Sequence, residues 1–143
     1  KVTLAAARAA LGLQKELKLG NLNAYRDEHF SDFGCEMMWR MLQNSEPKDY
    51  VIGTGQTHHC EEYLDLAFSY FNLNWKDYVT QDKDLFRPNE VVRLIADPSK
   101  AEKELGWKRD RMPFKDHIGI MCKFDYELEQ GLNPARPNVL GLY

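Results

Sequence analysis

The run Asp49-Tyr50-Val51-Ile52-Gly53-Thr54-Gly55-Gln56-Thr57-His58-His59-Cys60-Glu61-Glu62-Tyr63-Leu64-Asp65-Leu66-Ala67-Phe68-Ser69-Tyr70-Phe71 decides the fold class. Tyr50-Val51-Ile52 is compact, aromatic and β-branched, and it closes on Gly53-Thr54-Gly55. It reads as a strand and a turn. Tyr63, Leu66, Ala67 and Tyr70 then recur at the helical period, and Leu64, Phe68 and Phe71 widen the stripe over about 58–71. Thr57 or His59 must cap this helix. Thr57 is the better cap, because its hydroxyl accepts a backbone N–H. A strand passing through a turn into an amphipathic helix is an α/β pattern.

Working outward, residues 2–13 are Ala-rich with Gly12 near the end, and read as a helix. Leu17-Lys18-Leu19 alternates as a short strand does before the Gly20-Asn21 turn. A second helix spans 32–43, with Met37, Met38, Met41 and Leu42 on one face and Trp39 at its edge. Trp75 to Val79 reads as a short extended piece and Val91 to Ile95 as a strand. Asp97-Pro98 starts a helix, with Asp capping and Pro in the first turn, and Leu105-Gly106 ends it. A last helix covers about 114–129, with Ile118, Met121, Cys122 and Leu128 among its apolar positions. The expected organisation is α/β, short strands with about five helices, over residues 1–132. An extended tail follows over 133–143, turn-rich at Asn133-Pro134-Ala135-Arg136-Pro137. Such strands are too few and too separated to form a nucleotide-binding parallel sheet unaided.

Composition narrows the function classes. The 143 residues are 43% hydrophobic and 29% charged with a net charge of −3, an ordinary soluble balance. The nearest basic cluster, Lys108, Arg109 and Arg111, is too short to suggest nucleic acid. No apolar run approaches the ~20 residues of a membrane span. The chain opens at Lys1 directly into a helical run, as expected of a piece of something longer. Cys35, Cys60 and Cys122 are widely spaced without Cys-x-x-Cys, which points to reduced core thiols in the cytoplasm or another reducing compartment. His58 and His59 are adjacent and no third ligand is spaced to join them, so no metal site is read. Trp39, Trp75 and Trp107 read as packing residues.

Several segments resemble the extended short-chain dehydrogenase/reductases, and within them the GDP-mannose 4,6-dehydratases. Leu19-Gly20-Asn21-Leu22 followed by Arg26-Asp27 has the family spacing, as do Met38-Trp39 and Asp49-Tyr50-Val51-Ile52. So do Leu73-Asn74-Trp75-Lys76-Asp77-Tyr78-Val79, Phe86-Arg87-Pro88 and Glu90-Val91. Asp97-Pro98-Ser99-Lys100-Ala101 with Leu105-Gly106-Trp107 is common to many nucleotide-sugar epimerases and dehydratases. The resemblance covers about residues 1–129. It implies the C-terminal substrate-binding portion of the fold, with the Rossmann domain absent from this chain.

The resemblance also implies a chemistry. The family oxidises a GDP-bound hexose at C4, eliminates water across C5–C6 and returns the hydride to C6, converting GDP-mannose to GDP-4-dehydro-6-deoxy-mannose. NADP serves the full-length family. The Tyr-x-x-x-Lys pair and the Gly-rich cofactor loop this requires do not occur in the sequence. No catalytic residue and no cofactor is therefore assigned to this chain alone. By resemblance, Arg26 and Arg87 face the diphosphate, which suits the planar guanidinium fork. Glu90 accepts from the ribose, Lys1 adds positive charge, and Gly20, Asn21 and Val51 line the nucleoside. Without the resemblance, these charged residues would read as surface ion pairs.

The departures from the family are concentrated. Glu28 and His29 stand where Trp-Gly is usual, Phe33-Gly34-Cys35 where Asp-Tyr-Val is usual, Gln56 where Glu is expected, and Val92 where Asp is expected. Gly34 is expected to cost roughly 1 kcal/mol inside a helix. Two functions follow. One is the GDP-mannose-holding portion of a dehydratase that works with a Rossmann half. The other is a non-catalytic assembly subunit of a larger complex reusing the fold, docked through an apolar face. A free-standing GDP-sugar module ranks below both, because pockets bury most of a ligand's surface.

Overall fold

A computed structural model describes residues 1–109 and 111–135. The elements in chain order are α1 (Val2–Ala10), β1 (Leu17–Leu19), β2 (Tyr25–Arg26), α2 (Ser31–Met41), β3 (His58–His59), α3 (Cys60–Ser69), β4 (Val79–Gln81), α4 (Ser99–Leu105) and α5 (Phe114–Glu129). Short 3-10 turns occupy Trp75–Asp77 and Lys83–Leu85. The α/β class with short strands and five helices is what the patterning predicts.

The main core forms where α1, α3 and α5 meet. Ala5, Ala6, Leu64, Ala67, Phe68, Ile118 and Cys122 bury against one another, with Leu17, Leu22 and Trp75 closing the cluster. The small alanines let α1 come close, and burying Leu64 and Phe68 stabilises by about 1.5–3 kcal/mol each. The Arg8 guanidinium and the Glu129 carboxylate form two parallel 2.9 Å hydrogen bonds that tie α1 to α5. A second cluster of Phe33, Met37, Ala101, Leu105 and Trp107 joins α2 to α4.

Sheet content is minimal. β1 pairs parallel with β4, Leu17 opposite Val79. β2 pairs antiparallel with β3, Tyr25 opposite His59. On its other side Tyr25 N–H donates to the Val92 carbonyl at 2.7 Å and its carbonyl accepts from Leu94 N–H at 3.1 Å.

Several expectations are corrected. Residues 50–52 are not a strand: the Tyr50 hydroxyl donates to Glu104 at 2.8 Å and Lys100 Nζ donates to the Asp49 carbonyl at 2.8 Å, so the segment lies along α4. Residues 91–95 form no named strand either. They make only the bridge at Arg93. Trp75–Asp77 turns as a 3-10 helix, and the extended piece begins at Val79. Thr57 does not cap α3. Pairing with β2 keeps His58 and His59 extended, so the helix starts at Cys60 and the His59 ring accepts from Glu61 N–H.

Two helix faces are rotated from expectation. In α3 the buried positions are Leu64, Ala67 and Phe68, while Tyr70 is exposed. In α2, Phe33, Gly34 and Met37 face inward, and Met38, Trp39 and Leu42 are 64, 62 and 81% exposed. Trp39 is thus not a packing residue, although Trp75 and Trp107 are. Gly34 has a local reason: a Cβ there would stand 2.9 Å from the His29 ring. Of the cysteines, Cys122 is in the core, Cys60 is half-buried and Cys35 is exposed. The tail expected over 133–143 lies outside the described residues from 136 onward.

The loop between β2 and α2 is fastened by Asp27. Its carboxylate accepts from Thr54 N–H at 2.8 Å, Thr54 Oγ1–H at 2.6 Å, Gly55 N–H at 2.8 Å and Ala96 N–H at 3.1 Å. Burial alone would push this carboxyl up, but the four donors together hold it below its ordinary value of 3.8. A depressed folded pKa contributes stability that is present above the unfolded value and lost as pH falls through the folded one. Asp27→Asn should therefore cost about 2–3 kcal/mol at pH 7. Urea midpoints measured down the pH scale should show that deficit shrinking below pH 3.8.

Candidate functional site

A cleft of about 330 Å3 opens between the Gly20–Asn21 turn, the β2–β3 pair and the 85–90 loop. Gly20, Asn21, Arg26, Arg87 and Glu90 all line it. They come from two chain segments more than 60 residues apart, brought together by backbone packing. A Cβ on Gly20 would stand 2.5 Å from the Leu85 carbonyl oxygen, so only glycine lets the loop carrying Arg87 and Glu90 cross so closely. Asp82 N–H donates to the Leu19 carbonyl at 2.8 Å and anchors the start of that loop. The other two predicted residues are not brought into the cleft. Lys1 Nζ donates to the Lys18 carbonyl at 3.0 Å, and Val51 is exposed along α4.

The two arginines differ in state. Arg26 is ion-paired with the Glu90 carboxylate, and its other terminal nitrogen donates to the Tyr25 and Val91 carbonyls at 2.8 and 2.9 Å. The guanidinium is thus fixed in one orientation. Arg87 is exposed and, among the described residues, makes no hydrogen bond or ion pair. One cation is oriented in advance and the other is free to close on a ligand.

Sequence reasoning did not assign Glu28, His58, Cys60, Tyr63 or Phe114 to this cleft, yet all five line it. The signal was the β2–β3 pairing, which sets His58 opposite Arg26 and cannot be read from either strand's own two residues. His58 stacks on Phe114 with ring centroids 3.7 Å apart, and its Nδ1 lies 3.0 Å from a Glu62 oxygen. Burial pushes the Tyr63 hydroxyl up to about 12, and the Glu28 carboxylate adds to the rise. Burial raises the Cys60 thiol as well, with Glu28 contributing, so Cys60 is a poor nucleophile here. Glu28 is exposed as a residue, but its carboxyl is enclosed enough that burial raises its pKa, with His58 and Arg26 pulling it back.

A second, smaller cleft of about 160 Å3 shares Glu28, His58 and Phe114 with the first. Its rim includes Arg109 and Arg111, which pair with Glu102 and Glu36. The Gly53-Thr54-Gly55 loop beside it does not suit a cofactor pyrophosphate. Its Thr54 and Gly55 N–H groups already donate to the Asp27 carboxylate, whose charge would repel a phosphate.

The family model for GDP-mannose 4,6 dehydratase matches residues 1–121. GDP-mannose 4,6 dehydratase 2 of Arabidopsis thaliana is 48% identical over 128 residues, covering 90% of this chain and 34% of that protein. The Homo sapiens GDP-mannose 4,6 dehydratase is 36% identical over 146 residues, covering 90% of this chain and 39% of that protein. This chain thus spans little more than a third of these relatives. Among solved structures, RMD from Pseudomonas aeruginosa complexed with NADPH superposes with a TM-score of 0.74 at 22% identity, covering 90% of this chain and 41% of that one. A dTDP-glucose 4,6-dehydratase from Bacillus anthracis in complex with NAD gives 0.73 at 18% identity, with 92% and 41% covered. At those identities the structural likeness speaks for the fold. Gly20→Ala should force the 85–90 loop outward at a cost of about 1–3 kcal/mol. Faster hydrogen exchange at Leu85 and Phe86 than in the native chain would register the displacement.

Proposed function

The chain belongs to the GDP-mannose 4,6 dehydratase family, and from that premise we propose that it is the GDP-sugar-holding portion of such an enzyme, residues 1–132 forming the binding unit. One observation carries the reading. Five residues with the chemistry of a nucleoside diphosphate site converge in a single cleft from two distant segments. Arg26 and Arg87 take the diphosphate, Glu90 the ribose hydroxyls, and the Gly20–Asn21 turn the nucleoside. A bound diphosphate competes with Glu90 for Arg26, and Glu90 released from that pair is an acceptor for the ribose diol. The volume of about 330 Å3 sits at the small end of ligand pockets, as half of a shared cleft would.

Chemistry on the hexose falls to a Rossmann half that holds NADP, in this reading. This chain carries neither a Tyr-x-x-x-Lys pair nor a Gly-rich cofactor loop. Its contribution is binding and orientation.

A second reading, a non-catalytic assembly subunit, is favoured by a different observation. Met38 and Trp39 on α2 with Leu42 at its end, and Val91, Val92, Leu94 and Ile95, are large apolar residues at least half exposed. That is the kind of surface a docking partner covers. Sedimentation of the isolated chain separates the readings, since a soluble monomer at high concentration counts against a docking face.

Isothermal titration with GDP-mannose tests the first reading, and no binding would sink it. Arg87→Ala should weaken binding about tenfold, the effect of one charged hydrogen-bonding partner. It should leave the melting temperature unchanged, because among the described residues Arg87 makes no ion pair. Arg26→Ala should lower both, since Arg26 also holds Glu90 and two backbone carbonyls.

A further inference from the structure

Glu28 occupies a position that the binding scheme leaves without a role. It lines both clefts and stands with His58 and Phe114 in the wall between them. Its carboxylate acts electrostatically on Cys60 and Tyr63, and the charges of His58 and Arg26 act on it in turn. A negative group therefore sits beside the cation that orients the diphosphate.

The surrounding charges do not cancel it. On the nucleotide side Arg26 is already paired with Glu90, and Arg87 stays exposed. In the wall, His58 faces Glu62. Across the smaller cleft, Arg109 and Arg111 pair with Glu102 and Glu36, while Lys108 lies on the rim. His29 and His117 also line that side, and burial keeps both below the ordinary imidazole value and so neutral at pH 7.

We propose that Glu28 is a specificity-determining residue of this cleft, disfavouring ligands with a free terminal phosphate relative to those whose diphosphate is esterified at both ends. The inference rests on the nucleotide-sugar reading of the cleft. A free nucleoside diphosphate carries more negative charge at neutral pH than a nucleotide diphosphate sugar, because its terminal phosphate ionises a second time near pH 6, by analogy with about 6 for phosphate monoesters. That extra charge meets the Glu28 carboxylate in a partly enclosed site, where like-charge repulsion is stronger than in bulk water. The consequence is preference for the intact sugar nucleotide over the hydrolysed nucleotide. Acid removes the preference, because the terminal phosphate gains a proton and loses the charge that Glu28 repels.

The test is an NMR titration of the chain with GDP and with GDP-mannose, at pH 7.5 and 5.5, which reads affinities into the millimolar range. The native chain should favour GDP-mannose at pH 7.5. Glu28→Gln should narrow the ratio of the two dissociation constants by about threefold to tenfold, and Glu28→Asp, which keeps the charge, should preserve it. Lowering the pH should narrow the ratio more in the native chain than in Glu28→Gln. An unchanged ratio in Glu28→Gln, with both ligands still bound, overturns the inference and leaves the cleft reading standing. Failure of the native chain to bind either ligand overturns the cleft reading, and this inference with it.

Discussion

The Asp27 carboxylate is the constraint on which the site depends. It accepts four hydrogen bonds from residues 54, 55 and 96, segments that have no regular structure of their own. Backbone N–H groups in such loops must find partners when water is excluded. Asp27 supplies them at one point, directly after the β2 strand that presents Arg26. Gly53 is part of the same joint. A Cβ there would lie 2.3 Å from the Ala96 Cβ, and its carbonyl accepts from the Trp107 indole at 2.6 Å. The α2–α4 cluster is thus coupled to the strand that carries Arg26.

The cleft combines a fixed cation with a free one. Arg26 is locked by Glu90 and by backbone carbonyls, which removes the rotamer entropy a ligand would otherwise have to overcome. Arg87 directly precedes Pro88, which restricts its backbone, on a loop that crosses Gly20 in contact with it. Geometry of this kind suits the diphosphate proposed for the cleft. Burial and the neighbouring Glu28 carboxylate push the Tyr63 hydroxyl at its edge up to about 12.

The segment 28–35, where the family resemblance leads one to expect other residues, is internally consistent in three dimensions. His29 and Gly34 answer each other, the ring occupying space that a helix-borne Cβ would need. Its edge packs against Trp107, and neighbouring Phe30 meets both Phe33 and His117. The helix cost of a glycine is therefore set against packing gained by a histidine. Residues 28–35 form a coherent local structure that brings a carboxylate, Glu28, to the cleft.

Periodicity along one chain carried much of this protein. The helices at α1, α3, α4 and α5 were legible to within a few residues, because a helix satisfies its hydrogen bonds locally and its caps and glycine stops lie in sequence. Five cleft residues were legible through family spacing. The strands were not, because a strand exists only through its neighbour. Tyr50-Val51-Ile52 has strand-like residues but finds α4 beside it, whereas Tyr25–Arg26 and His58–His59, not read as strands, find each other. The same pairing placed Glu28, His58 and Tyr63 at the cleft and left Lys1 and Val51 outside it. Which face of α2 turned inward was also a tertiary matter: two apolar stripes competed, and the one beginning at Phe33 met α4 and Trp107. Local hydrogen bonding can be read from sequence; long-range partners are chosen only when the chain closes on itself.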